Sequence, residues 1–363
     1  MKPAARPRRR ESPPTSSRPL LTLAVTVGDP AGIGPELIVR SRAMLERLAA
    51  RVRILLVGRR CDLMAFFPNG VGQTVWPPLA AAPNASTGDW PDRPGLFSVE
   101  PCLSSDEQGR LLDWRPEPGR MHPNNGLLAF AAVREAAALA RAGAIQALVT
   151  CPLNKAALHA AGVPFPGHTE MLAHFSSTQR VGMLFDGGGL KVALVTIHEP
   201  LRRALALLTV DRIAAMIRMT GQFMRFYGLS APRLAVAGLN PHAGEGGLLG
   251  SEDEEVVRPA IEQARTGGWC VEGPVPPDVV FHQARRGRWD AVVALYHDQG
   301  LIAVKTLAFD RAVNITMGLP YIRTSPDHGT AYDIAGRGQA DLRSFERAVR
   351  LALRLARKRR IGA

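Results

Sequence analysis

Short apolar runs recur along the chain, and helical patterns lie between them. Strands buried on both faces have this continuous apolar character, whereas strands with one solvated face alternate apolar and polar residues. The predicted strands are 20–27, 53–58, 145–150, 192–197, 233–239, 278–281 and 290–295. The clearest predicted helix, 127–142, is rich in alanine, and Gly143 follows it as a typical C-cap. This alternation predicts an α/β fold with a mainly parallel sheet covered by helices on both faces.

Length and composition place the chain among globular proteins. Its 363 residues can form two domains or one large α/β unit, and 46% of them are apolar. No apolar run in the sequence reaches the ~20 residues that a membrane-spanning helix needs. Residues 71–125 are rich in Pro, Gly and Asn and show little periodicity, so we expect irregular or hairpin structure there.

The positions of the cysteines predict neither a zinc knuckle nor a disulfide framework. They lie far apart and form no CxxC pair: Cys61, Cys102, Cys151 and Cys270. A reducing compartment, and hence the cytoplasm, is the expected location.

The net charge of +13 lies mainly at the two ends of the chain. Residues 1–18 carry six basic side chains against one acidic side chain, and residues 343–363 carry eight against one. We expect 1–18 to be a disordered basic tail, and the arginines of the last helix to form one solvated face. A protein that binds nucleic acid through these ends is an alternative to an enzyme. The nearly neutral body disfavours it, because it offers no basic groove.

Three apolar strands end in a histidine at or just past their carboxyl end. "VALVTIH" ends at His198, "RLAVAGLNPH" at His242, and "DAVVALYH" at His297, which Asp298 follows. The carboxyl ends of parallel strands share one edge of an α/β sheet, where ligands bind. Three imidazoles at that edge suit Zn²⁺, Co²⁺ or a similar ion and leave positions open for a substrate. Separate structural roles for the three histidines are the alternative.

Several segments indicate an anionic ligand. Lys305, Asn314 and Arg323 follow one another closely, and apolar runs around the two cations predict partial burial with a partner. Lysine offers a point charge, and arginine offers a fork of donors for phosphate or carboxylate. His168 and Thr169 of the turn "PGHTE" add further donors. The alternative is that both cations are ordinary surface charges.

Two glycine-rich segments complete the pattern. Residues 26–36, "TVGDPAGIGPE", form a turn in which Pro35 opens a helix, and we expect its backbone N–H groups to face an anion. Its glycines do not match GxGxxG, and the chain has no GxxxxGK[ST], which excludes an ordinary Rossmann or P-loop site. The acidic residues 252–255, after "NPHAGEGGLLG", are predicted to be helix-start charges rather than metal ligands.

The motifs in their order resemble one enzyme family. "TVGDPAGIGPE", "NKAALHAAGVPFPGHTE", "GLNPHAGEGG", "YHDQG" and "VNITMGLPYIRTSPDHGTAYDIAGRG" are similar to the 4-hydroxythreonine-4-phosphate dehydrogenase family of vitamin B6 biosynthesis, over roughly residues 20 to 360. "DHGTAYDIAGRG" also resembles the adenosine-binding loop of isocitrate and isopropylmalate dehydrogenases, whose fold this family shares.

The resemblance implies a homodimer whose active sites lie in a cleft at the subunit interface. The residues that match metal ligands, contributed across that interface, are His198, His242 and His297. Those that match substrate contacts are His168, Thr169, Lys305, Asn314 and Arg323. The candidates for a catalytic role are Asp278, Asp298 and Lys305. NAD or NADP is expected along the loop 327–338, at His328, Gly329, Asp333 and Gly336.

The resemblance also implies two α/β/α subdomains of the isocitrate and isopropylmalate dehydrogenase type, with the active site between them. Residues 19–150 with 325–363 would form the cofactor side, and 151–324 the metal, substrate and dimer side. The implied reaction oxidises and decarboxylates 4-phosphooxy-L-threonine to 3-amino-2-oxopropyl phosphate, on the route to pyridoxal 5'-phosphate. It needs NAD or NADP and one divalent metal, which is Zn, Co, Mg or Mn.

Two features depart from this pattern. Cys151 stands where the family leads us to expect glycine. "LNKAALH" resembles paralogues that act on phosphorylated sugar acids, so a D-erythronate or D-threonate 4-phosphate dehydrogenase is the alternative. A further relative oxidises a diol of an aromatic dicarboxylate. The set Lys305, Asn314 and Arg323 favours a phosphorylated substrate.

Overall fold

The computed structural model of the chain describes residues 20–64 and 93–361, and the strands within them form one continuous sheet. The strands are β1 (Thr22–Thr26), β2 (Arg53–Val57), β3 (Gly95–Val99), β4 (Ala147–Thr150), β5 (Gly182–Gly187), β6 (Leu190–Leu194), β7 (Arg233–Ala237), β8 (Cys270–Val275), β9 (Ala291–Ala294), β10 (Val313–Met317) and β11 (Ile322–Pro326). Their order is β3-β2-β1-β4-β11-β10-β5-β6-β9-β7-β8. Only the three pairs among β11, β10, β5 and β6 are antiparallel, within the described sheet. The predicted mainly parallel α/β sheet is therefore confirmed.

Helices cover both faces of this sheet. They are α1 (Gly34–Arg40), α2 (Arg42–Ala49), α3 (Arg60–Met64), α4 (Ser105–Leu111), α5 (Pro123–Arg141), α6 (Lys155–Ala160), α7 (His168–Phe175), α8 (Leu201–Ala206), α9 (Val210–Phe226), α10 (Arg258–Thr266), α11 (Pro277–Arg285), α12 (His297–Ala308) and α13 (Arg343–Ile361). Strand side chains alternate between the two layers: Leu23 and Val25 of β1 join one core cluster, and Ala24 joins another. No helix in the described parts of the chain has the length and apolarity to cross a membrane.

Most of the predicted elements coincide with observed ones. Six of the seven predicted strands overlap an observed strand, and α5 includes most of the predicted helix 127–142. The predicted strand 278–281 is wrong, because these residues lie in the first turns of α11. Pro277 opens that helix, and its fixed φ and missing N–H suit a first turn.

The prediction of irregular structure for 71–125 is wrong in part. The strand β3 and the helix α4 lie within this range, and Ser104 caps α4 through a reciprocal pair of bonds with Glu107. Residues 71–92 of the range lie outside the described residues, as does the predicted tail 1–18. The division into two subdomains stays a prediction, and the sheet runs without a break through the proposed boundary.

The arginine face of α13 is largely paired. Arg347 lies 2.5 Å from Asp186, Arg350 lies 3.1 Å from Glu346, and Arg354 lies over the ring of Tyr227. The exposed pair of Arg350 and Glu346 contributes roughly 0–1 kcal/mol, whereas Asp186 in the pair with Arg347 is buried. The face thus combines ion pairs with one cation–π contact, and its exposed arginines suit the prediction of a solvated surface.

Candidate active site

A cavity of about 560 Å³ opens where the carboxyl ends of β4, β6 and β9 meet the antiparallel pair β10 and β11. This is the edge where ligands bind in open α/β sheets. Its polar lining residues are Thr150, Lys155, His168, Thr169, Glu170, His198, Glu199, His297, Lys305, Asn314, Arg323, Ser325, Asp327 and His328. All five predicted substrate contacts therefore lie together in one cavity.

Two of the three predicted metal-binding histidines lie side by side. The ring centroids of His198, after β6, and His297, at the start of α12, are 5.7 Å apart. His297 Nδ1 hydrogen-bonds Asp298 Oδ1 at 2.6 Å, which leaves Nε2 for a ligand. Burial lowers the pKa of His198, and the charge of Lys155 lowers it further. A neutral imidazole is the form that binds a metal, so the pair fits that chemistry.

His242 lies elsewhere. It is in the turn Pro241–Gly247 after β7, its side chain is 67% exposed, and it is absent from the lining of this cavity. Its Nδ1 lies 3.2 Å from Glu245 Oε2. Across residues 20–64 and 93–361, no three His, Cys, Asp or Glu side chains of one copy are grouped to hold a metal. One copy of the chain thus brings together two of the three histidines.

The turn that carries His242 has a strained backbone and is fixed by a buried carboxylate. His242, Ala243 and Glu245 have positive φ, each of which costs on the order of 1 kcal/mol or more outside glycine. The fully buried Asp253 accepts hydrogen bonds from the backbone N–H groups of Leu239 (2.7 Å) and Asn240 (2.9 Å). Asp253 is therefore not merely a helix-start charge as predicted, because it fixes the turn that presents His242 outwards.

Arg323 is a buried cation at the base of the cavity. It is 3% exposed, and its guanidinium donates to Thr316 Oγ1 (2.9 Å) and Thr150 Oγ1 (2.6 Å). Burial lowers its pKa to about 10, so it remains protonated at neutral pH. Both of its hydrogen-bonding partners are neutral hydroxyls, and its Nε is buried without a hydrogen bond among the described residues. A buried charge without a charged partner is costly, so a bound anion would stabilise this site.

Four further buried polar atoms around the cavity lack a hydrogen-bond partner within the described chain: His168 Nε2, Asn314 Oδ1, Asp327 Oδ2 and His328 Nε2. His168 and Thr169 begin α7, whose N-cap is Gly167. Burial lowers the pKa of His168 well below its ordinary value, and Arg323 and Lys155 add to the effect. Buried polar atoms in proteins are nearly always satisfied. Arg323 and these unpaired atoms therefore fit a polar ligand that carries both an anionic group and hydrogen-bond donors.

Comparison with known proteins agrees with this geometry. The model of the family described as "Pyridoxal phosphate biosynthetic protein PdxA" matches residues 85–352. The chain belongs to the PdxA family. A 4-hydroxythreonine-4-phosphate dehydrogenase from Desulfosudis oleivorans is 46% identical, over 93% of this chain and 96% of the relative. A D-threonate 4-phosphate dehydrogenase from Pectobacterium atrosepticum is 42% identical, over 92% and 99%.

A solved structure extends the similarity to the fold. The crystal structure of a 4-hydroxythreonine-4-phosphate dehydrogenase from Klebsiella pneumoniae superposes with a TM-score of 0.78 at 43% identity, and the match covers 93% of this chain and 99% of that one. As a member of the PdxA family, the chain is an oxidoreductase. A dehydrogenase of this family uses a nicotinamide cofactor and a metal.

The catalytic candidates of this PdxA-family chain lie at different depths. Lys305 lines the cavity, and its Nζ lies 3.8 Å from Asp327 Oδ2. Burial raises the pKa of Asp327, and the charge of Lys305 opposes that rise. Asp298 is 73% exposed at the rim, beside His297. Asp278 is exposed at the start of α11 and does not line the cavity of its own chain.

Of the four predicted cofactor residues, two line the cavity and two lie outside it. His328 and Gly329 line the cavity, whereas Asp333 and Gly336 lie farther along the loop and are exposed. His328 Nδ1 lies 3.2 Å from the carbonyl of Gly329. Burial lowers the pKa of His328. Its Nε2 is buried without a hydrogen bond to the described residues, so it is available to a bound molecule.

Sequence reasoning missed four charged residues of the lining: Lys155, Glu170, Glu199 and Asp327. Lys155 follows β4 within a few residues, so the strand-end argument that selected the histidines would also have found it. Glu199 directly follows His198, and Glu170 belongs to the "PGHTE" turn. Asp327 directly precedes His328, so three of the four were visible as neighbours of a predicted site residue and Lys155 as a residue after a strand.

The expectation that the turn 26–36 presents its N–H groups to an anion is wrong. The N–H groups of Asp29 and Ile33 donate to the carbonyls of Pro152 (2.9 Å) and Thr330 (3.0 Å). Those of Ala31 and Gly32 donate to Asp29 itself, at Oδ1 (2.9 Å) and at the carbonyl (3.1 Å). These four N–H groups therefore have partners within the protein, two in the turn itself and two in other segments. The helix that Pro35 was predicted to open is present as α1.

Proposed function

We propose that the protein catalyses the NAD-dependent, metal-assisted oxidation and decarboxylation of 4-phosphooxy-L-threonine to 3-amino-2-oxopropyl phosphate, in pyridoxal 5'-phosphate biosynthesis. The observation that carries the proposal is the buried Arg323, which has no charged hydrogen-bonding partner within the described chain and lies among unpaired polar atoms. That arrangement suits a small, multiply charged substrate. We also propose a cytoplasmic location, as the cysteine spacing led us to expect.

The anionic groups of the substrate would bind at the base of the cavity. Arg323 supplies a fork of donors, and His168 and Thr169 supply the first turn of α7, whose partial positive charge favours an anion. Asn314 offers a side-chain amide, whose unpaired oxygen would accept a hydrogen bond from the hydroxyl or amino group of the substrate. Lys305 supplies a second positive charge at the same wall. Together these residues would hold the phosphate and carboxylate and orient the alcohol between them.

The metal would be held by His198 and His297 of one copy and His242 of a second copy. A bound divalent metal supplies a Lewis acid that lowers the pKa of the substrate hydroxyl. Imidazole ligands favour zinc or cobalt, and magnesium and manganese are the other candidates. Asp298 would fix the ring of His297, since a carboxylate bonded to Nδ1 directs Nε2 at the ligand.

A homodimer would bring the third histidine to the site. Large apolar side chains are exposed close to His297: Ile302 and Phe309 on α12 and Leu201 on α8 are 67%, 76% and 58% exposed. Leu248, next to the turn of His242, is 83% exposed. Apolar groups exposed around a polar site indicate an interface. We therefore propose that the surface around His297 docks against the His242 turn of a second copy.

NAD, with NADP as the alternative, would accept the hydride and bind along the loop 327–338. His328 and Gly329 are its residues that face the cavity. Of the three catalytic candidates, Lys305 is placed to move a proton, because it lines the cavity and its ion pair with Asp327 at 3.8 Å leaves hydrogen-bond donors free. Asp278 would act only from the second copy.

A second candidate substrate is a phosphorylated sugar acid, D-threonate or D-erythronate 4-phosphate. A relative with 42% identity is named for D-threonate 4-phosphate. The deciding test is NADH formation with purified protein and each of the three substrates at equal metal concentration. We expect the highest kcat/KM with 4-phosphooxy-L-threonine. A higher kcat/KM with either sugar acid would move the protein to the second function, and no NADH with any of them would refute both.

A further inference from the structure

The motif 28–36 is conspicuous in the sequence, and neither the anion site nor the metal site uses it. We propose that this segment positions the loop 327–340 for the dinucleotide, and that Asp29 acts as a positioning residue through Tyr332. The inference rests on the proposed function, because it assigns the nicotinamide cofactor to that loop. Its evidence is a set of contacts that link the two segments.

The first contact is a buried hydrogen bond between side chains. Tyr332 donates its hydroxyl proton to Asp29 Oδ2 at 2.6 Å, and Asp29 is completely buried. Asp29 is itself fixed, since its Oδ1 accepts from Ala31 and its N–H donates to Pro152. The middle of the loop is thus tied to the ends of both β1 and β4.

The second contact is a close approach of the two backbones. Ile33 donates its N–H to the carbonyl of Thr330 at 3.0 Å. A Cβ atom added to Gly32 would lie 2.9 Å from Thr330 Cβ, which is closer than packed side chains tolerate. The glycine therefore allows the segment to lie directly against the loop, next to His328 and Gly329.

The third contact fixes the far end of the loop. Glu36, which is 3% exposed, accepts the N–H of Ala340 at 2.8 Å. Arg40 donates to the carbonyl of Ala340 at 2.7 Å and to Glu36 at 3.1 Å. One carboxylate and one guanidinium thus satisfy both backbone groups of Ala340.

The loop itself buries few apolar side chains. It forms turns rather than a helix or strand, and residues 336–339 are exposed. Of its residues, Ala335 and Ala340 are the small apolar ones that are buried. Few buried apolar contacts allow local opening at low free energy. The side-chain bonds from 28–40 therefore add to the packing of Ala331 and Ile334 against the core in holding the loop in one conformation.

A population argument gives the expected size of the effect. If only a fraction of the molecules hold the loop in the binding conformation, the apparent Kd for the dinucleotide rises in inverse proportion to that fraction. If removal of the hydrogen bond between Asp29 and Tyr332 leaves about a tenth of the molecules in the binding conformation, the apparent Kd rises about tenfold. Binding of inorganic phosphate at Arg323 should stay unchanged, because Arg323 lies on β11 and not on the loop.

The test is calorimetric titration of the full chain with NAD⁺, together with amide hydrogen exchange over 327–340. We expect Asp29→Ala and Tyr332→Phe to raise Kd about tenfold and to speed exchange in the loop. Asp29→Asn should restore the affinity to within about twofold, because the amide can still accept from Ala31 and donate to Tyr332. The Tyr332→Phe variant keeps the test decisive if Asp29→Ala does not fold.

Asp62→Ala is the matched control. Asp62 is also a buried carboxylate after a parallel strand, but its partner is Arg59 and it makes no hydrogen bond to the loop. Wild-type affinity in a folded Asp29→Ala or Tyr332→Phe variant would overturn the inference, and so would an equal loss in Asp62→Ala. An unaltered chain that binds no NAD⁺ would instead overturn the cofactor assignment in the proposed function, and the inference with it.

Discussion

His198 and His297 lie with their ring centroids 5.7 Å apart, although they come from distant segments of the chain. The parallel pairing of β6 and β9 produces this relationship, because it brings the carboxyl ends of both strands to one edge of the sheet. His297 is oriented further by Asp298. The pair is therefore preformed in a single copy.

A first prediction concerns the metal. His297→Ala and His198→Ala should lose the bound divalent ion and reduce NADH formation by at least about a hundredfold, since each removes a ligand. Asp298→Asn should lower metal affinity by about 10–100-fold, because it weakens the partner of His297 Nδ1. Elemental analysis after dialysis measures both effects. His159→Ala, on the exposed side of α6, controls for the loss of an imidazole, and an active, metal-free His297→Ala protein would refute the site.

A second prediction concerns the anion site. Inorganic phosphate should raise the Tm of the unaltered protein, and phosphate at 100 times its Kd corresponds to about 2.7 kcal/mol. Arg323→Met should abolish this shift and lower kcat/KM by at least about a hundredfold, since it removes the buried cation. Without ligand, the variant should be at least as stable as the original, because the charge has no charged hydrogen-bonding partner in the described chain.

Arg120→Ala is the control for this experiment. Arg120 is 73% exposed and pairs with Glu117 on the surface. Arg120→Ala should leave both the Tm shift caused by phosphate and the value of kcat/KM unchanged. A phosphate shift that persists in Arg323→Met would place the anion elsewhere.

A third prediction concerns acid stability. Burial holds the pKa of His168 well below its ordinary value, so the folded state keeps this ring neutral. The unfolded chain protonates it with a pKa near the ordinary value of about 6.5 and therefore binds the extra proton. The contribution of His168 to the free energy of unfolding should then be constant above about pH 6.5. It should decrease as the pH drops below that value.

His168→Asn should make the decline shallower, because asparagine does not titrate. Urea unfolding between pH 7.5 and pH 5 measures the effect, with His159→Asn as the exposed control. An unchanged slope in His168→Asn would mean that His168 is protonated in the folded state.

The sequence predicts the edge of the sheet better than it predicts the strands that complete the cavity. His198 and His297 were identified because they end apolar strands, and such strands are visible as continuous runs. β10 and β11 were missed because they read "VNITM" and "IRTSP". Their polar residues include Asn314 and Arg323. These side chains form the site, and they also interrupt the apolar pattern by which a buried strand is predicted. The sequence thus identifies Asn314 and Arg323 as site residues, but it does not predict the strands on which they lie.

The position of His242 and the role of 26–36 required the structure for a different reason. Both depend on contacts between segments that are far apart in the sequence. Asp253 fixes the His242 turn from the segment before α10, and Asp29 reaches Tyr332 across some three hundred residues. Local patterns identify the glycine-rich turns, but they do not identify the partners that determine which way each turn faces.

The last prediction tests whether two copies share each site. If His198 and His297 of one copy meet His242 of the other, a His242→Ala chain and a His297→Ala chain are each inactive alone. In a mixed dimer, one site combines the intact His297 with the intact His242, and the other site carries both defects. Random reassortment of equal amounts gives half mixed dimers, so the mixture should recover about a quarter of the original activity. Mixing two preparations of the same variant is the control and should recover none. No recovery from the mixed variants, with reassortment verified by mass spectrometry, would mean that each copy forms its site without the other.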